Sequence, residues 1–150
     1  MAQSCVCCFV HYVFSTKGRE PWITEELRAT LHQYLAGIAR EHTMGPLQIG
    51  GTEDHVHALV SLPATLTIAK AVQLMKGGSS KWLHDTFPAF RHVYWQNGYG
   101  AFSVSASQIN SVIQYIANQQ RHHRNTSFED EFLLLLQKHG AEHDPQYVFG

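Results

Sequence analysis

Long hydrophobic runs are missing from this chain. No stretch approaches the roughly 18 apolar residues of a membrane span, and the N-terminus lacks the basic, apolar and small-residue order of a secretion signal. A membrane location is therefore not expected, and the cytoplasm is. Cysteine is scarce: Cys5, Cys7 and Cys8 crowd together with no second cluster to complete a zinc site. Their odd number argues against a disulfide framework, so they read as reduced strand residues. An excess of either charge is absent too, since 11 Lys+Arg against 12 Asp+Glu leave a formal charge of -1. Any phosphate-binding surface must therefore be local. Repeats, low-complexity tracts and dividing linkers are also lacking. No Walker loop is present to cradle a nucleotide, and no nucleotide cofactor is expected.

What remains is 150 residues, 44% hydrophobic and only 15% charged, which suits one compact domain over residues 1–150. Val6 to Ser15 is rich in β-branched and aromatic residues and reads as a buried strand. Thr24 to His42 follows as a helix, with Thr24 as its N-cap and Leu27, Leu31, Leu35 and Ile38 at helical spacing. Pro46 to Gly50 and His55 to Leu62 look like strands joined through a short polar connection. Thr67 to Asp85 reads as a second helix disturbed at Gly77-Gly78. Val93 to Ser103 is strand-like but broken at Asn97-Gly98, and Ser107 to Arg124 is a third helix. Ser127 caps a last helix to His139, whose Glu129, Asp130 and Glu131 suit its N-terminal dipole. The order strand, helix, strand, strand, helix, strand predicts an α+β fold, a ferredoxin-like or RRM-like antiparallel sheet with helices on one face. An additional C-terminal helix carries Tyr115.

In the strand from His55, alternation puts Val56, Ala58, Val60 and Leu62 on one face and His55, His57, Leu59 and Ser61 on the other. The apolar face belongs to the core. The two imidazoles are then neighbours on the opposite, more open face, free to converge on a metal, a phosphate or a partner residue. Glu53 and Asp54, just before them, read as loop residues. In QINSVIQYIANQQRHHR, Ile109, Val112, Ile113 and Ile116 form an apolar stripe, while Tyr115 and Gln119 stack one turn apart on another side, with Gln108 and His122 near the same line.

His-Val-His followed by Tyr-Ile-Ala-Asn-Gln resembles the HUH-type single-tyrosine transposases of the insertion sequence 200/605 group. The likeness extends to VHYVFSTKGREPW, KGGSSKWL and YWQNGYGAFSVS, and so covers nearly the whole chain. A domesticated relative associated with repeated extragenic palindromes fits the same motifs. The resemblance implies that His55, His57 and Gln119 hold one divalent ion, Mg²⁺ or Mn²⁺, and that Tyr115 attacks a DNA phosphodiester to leave a 5′-phosphotyrosine link and a free 3′-OH. It also implies single-stranded DNA with hairpins as substrate. The protein would be a homodimer whose active sites are shared between subunits, at work on DNA in a prokaryotic cytoplasm. Lys17, Arg19, Lys76, Lys81, Arg121 and Arg124 are candidates for phosphate contacts, and Trp82, Tyr94, Trp95 and Tyr99 for base stacking.

Two other classes suit parts of the pattern. His55 and His57 with a third histidine, His11 or His122, would make a metal-dependent hydrolase that uses bound water. The same surface without chemistry would be a single-stranded nucleic-acid-binding module.

Overall fold

The structure, a computed structural model, describes residues 2–149. Four antiparallel strands, β1 (Phe9–Ser15), β2 (Gly45–Gly51), β3 (His55–Ser61) and β4 (Gly100–Val104), stand in the order β2-β3-β1-β4. Two helices, α1 (Glu25–Glu41) and α2 (Ile68–Thr86), connect them in the predicted ferredoxin-like sequence. Thr24 and Thr67 cap these helices, their hydroxyls accepting from the Leu27 and Lys70 amides at 3.3 and 3.0 Å. Such a cap stabilises a helix by about 1 kcal/mol.

Strand alternation decides what each face holds. Val10, Tyr12 and Phe14 of β1 and Val56, Ala58 and Val60 of β3 face α1 and α2, where Leu31, Leu35, Met75 and Leu83 complete the core. Each buried valine, leucine, phenylalanine or methionine among them contributes about 1.5–3 kcal/mol. Helix α2 runs unbroken through Gly77-Gly78, contrary to the expected disturbance. At Gly78 the reason is packing, because a Cβ there would come within 2.9 Å of Ile38 Cδ1 on α1.

The opposite face is not open. Three further helices lie over it: α3 (Ile109–Ala117), α4 (Gln119–His122) and α5 (Phe128–His139). Helix α5 is pinned by Phe128, Phe132 and Leu136, which pack with Val13 and Phe102 into a second core on that side. The expected single helix from Ser107 to Arg124 is broken at Asn118, which leaves helical geometry (φ -99°, ψ 17°). Asparagine is a weak helix former that tolerates such departures. Cys5, Cys7 and Cys8 precede β1 and are exposed and free, so they are not strand residues. The strand-like stretch from Val93 contributes only an isolated bridge, Thr16 with Trp95, before β4 begins at Gly100. Among the described residues, no helix is long and apolar enough to cross a membrane.

Candidate active site

His55 and His57 point away from α1 and α2, as their alternation requires, yet both are fully buried. The expectation of an open face fails because α3, α4 and α5 cover them. Gly50 of β2, paired with His57, lets α3 come close: a Cβ there would collide with the Ile116 carbonyl oxygen. That close approach lowers Tyr115 and Gln119 onto the histidines. The Tyr115 ring lies edge-on to His57, with centroids 5.7 Å apart.

Each histidine is oriented by a second partner. His55 Nδ1 lies 2.7 Å from Asp54 Oδ1 and 3.0 Å from Thr52 Oγ1, while His57 Nδ1 lies 2.7 Å from Nε2 of the buried His11. Both Nε2 atoms therefore turn toward one place. There Glu131 of α5 arrives, its Oε1 2.9 Å from His57 Nε2, 3.4 Å from His55 Nε2 and 2.9 Å from His123 Nε2. Its other oxygen, Oε2, accepts from the Tyr115 hydroxyl and, at 2.9 Å, from Gln119 Nε2. Gln119 Oε1 lies 3.0 Å from His55 Nε2.

Electrostatics follow from this crowding. Burial opposes ionisation of Glu131, but the His123, His55 and His57 rings around it outweigh that and hold its carboxyl far below the usual range. Burial also opposes a charge on His55, yet its bonds to Asp54, Glu131 and Gln119 raise it to about 9. Burial takes His57 down to about 4 and His11 to about 3, so both are neutral at pH 7. The Tyr115 phenol is pushed above its ordinary value, first by burial and then by Glu131.

Donor atoms of His55, His57, His123 and Glu131 all lie within 4.8 Å of one another. Around an ion with bonds of about 2.1 Å, neighbouring ligand atoms stand about 3.0 Å apart in an octahedron and about 3.4 Å in a tetrahedron. The separations of 2.9 to 3.4 Å fit those edges. His123 Nε2 is buried and lacks an aligned hydrogen-bond partner, as a nitrogen reserved for a cation would. Orientation of His55 by Asp54 is also the carboxylate support that metal-binding imidazoles commonly have. The residues fit a divalent cation.

Sequence reasoning had Tyr115, His55, His57 and Gln119 together, and the structure brings them together. Local patterns leave His123 without a role, make Asp54 a loop residue and give Glu131 only a helix-dipole role. The spacing of Glu131 is nonetheless informative: Phe128, Glu131, Phe132 and Leu136 form one buried stripe, and an acid inside such a stripe needs partners. Of the suggested third histidines, His11 serves as the support for His57, and His122 Nε2 lies 3.4 Å from Glu131 Oε2 at the edge of the cluster.

The basic residues disperse. Lys76 donates to the Gln96 and Gly98 carbonyls at 2.6 and 2.8 Å and braces the loop before β4. Lys81 pairs with Asp85 at 2.5 Å on α2, across the sheet from Tyr115. Arg19 pairs with Glu129 of α5. Lys17, Arg121 and Arg124 are exposed, the two arginines on and just after α4 beside the cluster. Trp95 is in the core and Trp82 stacks on Tyr34 at 4.3 Å, while Tyr94 and Tyr99 remain exposed.

Residues 4–119 match the family model described as transposase IS200 like. The transposases for insertion sequence element IS200 of Salmonella typhimurium and Salmonella typhi are each 25% identical to this chain over 117 residues, covering 75% of it and 76% of their own length. A crystal structure of a candidate transposase from Deinococcus radiodurans R1 superposes with a TM-score of 0.65 at 24% identity, over 79% of this chain and 98% of that one. A REP-associated tyrosine transposase bound to a REP hairpin does so with a TM-score of 0.57 at 11% identity, over 79% and 70%. These two likenesses bear on the fold. The family match ends at Gln119, so His123 and Glu131 lie beyond it.

Proposed function

The chain belongs to the IS200-like transposase family, and from that membership we propose that it binds hairpin-bearing single-stranded DNA, then cleaves and rejoins it through a 5′-phosphotyrosine link on Tyr115. The observation that carries this reading is one carboxylate, Glu131, shared between the Tyr115 hydroxyl and the His-Val-His pair. A nucleophile and an electrophilic centre are thereby joined at a single group. The hairpin on the REP-associated relative supports a hairpin as ligand.

His55, His57, His123 and Glu131 would hold the divalent ion, with the Gln119 amide oxygen as a further donor. When bound there, it supplies Lewis-acid stabilisation of charge on the scissile phosphate. The resemblance points to Mg²⁺ or Mn²⁺, and three imidazoles favour Mn²⁺ of the two. Glu131 Oε2 aims the phenol, and Gln119 Nε2 holds that oxygen in place. His11 and Asp54 keep the imidazoles turned inward. The tyrosyl ester stores the phosphodiester bond energy until a second 3′-OH reverses the attack, which removes the need for a nucleotide cofactor.

The resemblance points to a homodimer with shared sites. In this chain Tyr115 lies against its own His57, which supports assembly within one subunit.

The test is incubation with hairpin-bearing single-stranded DNA and Mn²⁺, followed by denaturing electrophoresis. Wild type is expected to give a covalent adduct, lost with chelator and in Tyr115→Phe, which keeps the ring and the fold. Cleavage without adduct would instead establish a hydrolase, and binding alone a DNA-binding module.

A further inference from the structure

Beside Tyr115 the structure has a cleft that the chemistry above leaves unused. It lies between α3 and α5 over the edge of the sheet, with a volume of about 600 Å³. That is within the range of about 300–1,000 Å³ in which small ligands are held. The Tyr115 ring forms part of its wall, and His11, which supports His57, lies at its base. Val104, Val112 and Leu135 give it an apolar side, and Lys138 stands on α5 at its border. Among the described residues Lys138 makes no ion pair. Gln108 and Ser111 also line it, as polar groups able to meet a base edge.

We propose that this cleft seats one unpaired deoxynucleotide, the one whose 5′ phosphate becomes joined to Tyr115. The proposal rests on the transposase reading and adds to it the place of the substrate. An apolar wall suits the face of a base, polar side chains its edge, and an uncompensated lysine its phosphate. A recess of this kind takes a nucleotide only when it is unpaired and unstacked, so the cleft selects single strands by shape. As the bond from Tyr115 Oη to phosphorus forms, the bond from phosphorus to the 3′ oxygen breaks. In net terms the phenol proton passes to the released 3′-OH. The nucleotide that stays on the tyrosine is then lodged beside the ring that carries it.

Two measurements test the proposal. A short oligothymidylate with a single 4-thiothymidine, photocrosslinked to the wild-type protein and mapped by mass spectrometry, is expected to label α3 or α5 at the cleft. Labelling confined to other elements overturns the proposal. In the second, hairpin DNA with an unpaired flank is compared with the same hairpin cut blunt. Val112→Phe, which fills the cleft, is expected to lower the affinity ratio between the two about tenfold, the scale of one lost base-stacking contact. Lys138→Ala, an exposed change that leaves packing intact, should lower the ratio in the same direction. A ratio unchanged in both variants overturns the proposal. Adduct formation in wild type reports separately on the transposase reading. Adduct with no cleft labelling sinks this inference alone, whereas cleft labelling with no adduct sinks the tyrosine chemistry and leaves the nucleotide seat standing.

Discussion

At Glu131 a single carboxylate faces four imidazoles, those of His55, His57, His122 and His123, together with the Tyr115 phenol. Glu131→Gln keeps the shape but removes the charge, and is expected to weaken Mn²⁺ binding by more than the roughly 10- to 100-fold that losing a ligand's supporting partner costs, measured by competition with a chromophoric chelator. Unchanged affinity would place the ion elsewhere. The histidines also make metal-free stability depend on pH in two directions. His11 and His57, neutral in the fold down to about 3 and 4, refuse protons that the unfolded chain accepts below about pH 6.5. Stability therefore falls as pH drops below that point. His55, raised to about 9, contributes stability that is complete below about pH 6.5 and is lost as pH rises through 9. The urea midpoint of chelator-treated protein is expected to peak near neutrality and decline on both sides. A midpoint that is level from pH 5 to 9 would contradict these charge states.

Among the elements, α3 and α5 build the site between them, and each is held by a small number of contacts. Gly50 permits α3 to rest its Ile116 carbonyl on β2. Gly50→Ala is expected to lift α3, at about 1–3 kcal/mol of stability. Adduct formation should fall further than that loss explains, because Tyr115 moves with the helix. Comparing adduct rates at a temperature where both proteins are fully folded measures it, and an unimpaired rate would show that the close contact does not position the tyrosine. Helix α5 is anchored differently, through Phe128, Phe132 and Leu136, and this apolar stripe carries Glu131 into the interior. The break at Asn118 lets Gln119 begin a new turn with its side chain buried.

For the whole molecule the question is whose histidines Tyr115 serves. Sharing between subunits would require α3 to leave the contacts it makes with its own Gly50, His57 and Glu131. Those contacts predict a site completed within one chain. Mixing Tyr115→Phe with tagged His57→Ala subunits, each inactive alone, should then give no adduct after verified subunit exchange. Adduct on the His57→Ala chain would establish sharing, since only there can an intact tyrosine meet a partner's intact histidines.

The sequence alone determined the strand and helix order, the caps at Thr24 and Ser127, and the face on which His55 and His57 stand. These follow from period-2 and period-3.6 patterns and from side chains that bond their own neighbouring backbone, all within a few residues. Tyr115 and Gln119 were legible as a pair for the same reason, being one helical turn apart. The covering of the histidine face, the kink at Asn118 and the meeting of Glu131 with His55, His57 and His123 were decided only in three dimensions. Glu131 is separated from His57 by 74 positions along the chain. No local rule spans that interval. It is closed by the burial of Phe128, Phe132 and Leu136 against Val13 and Phe102, which fixes α5 on the sheet and leaves its one buried acid facing the imidazoles.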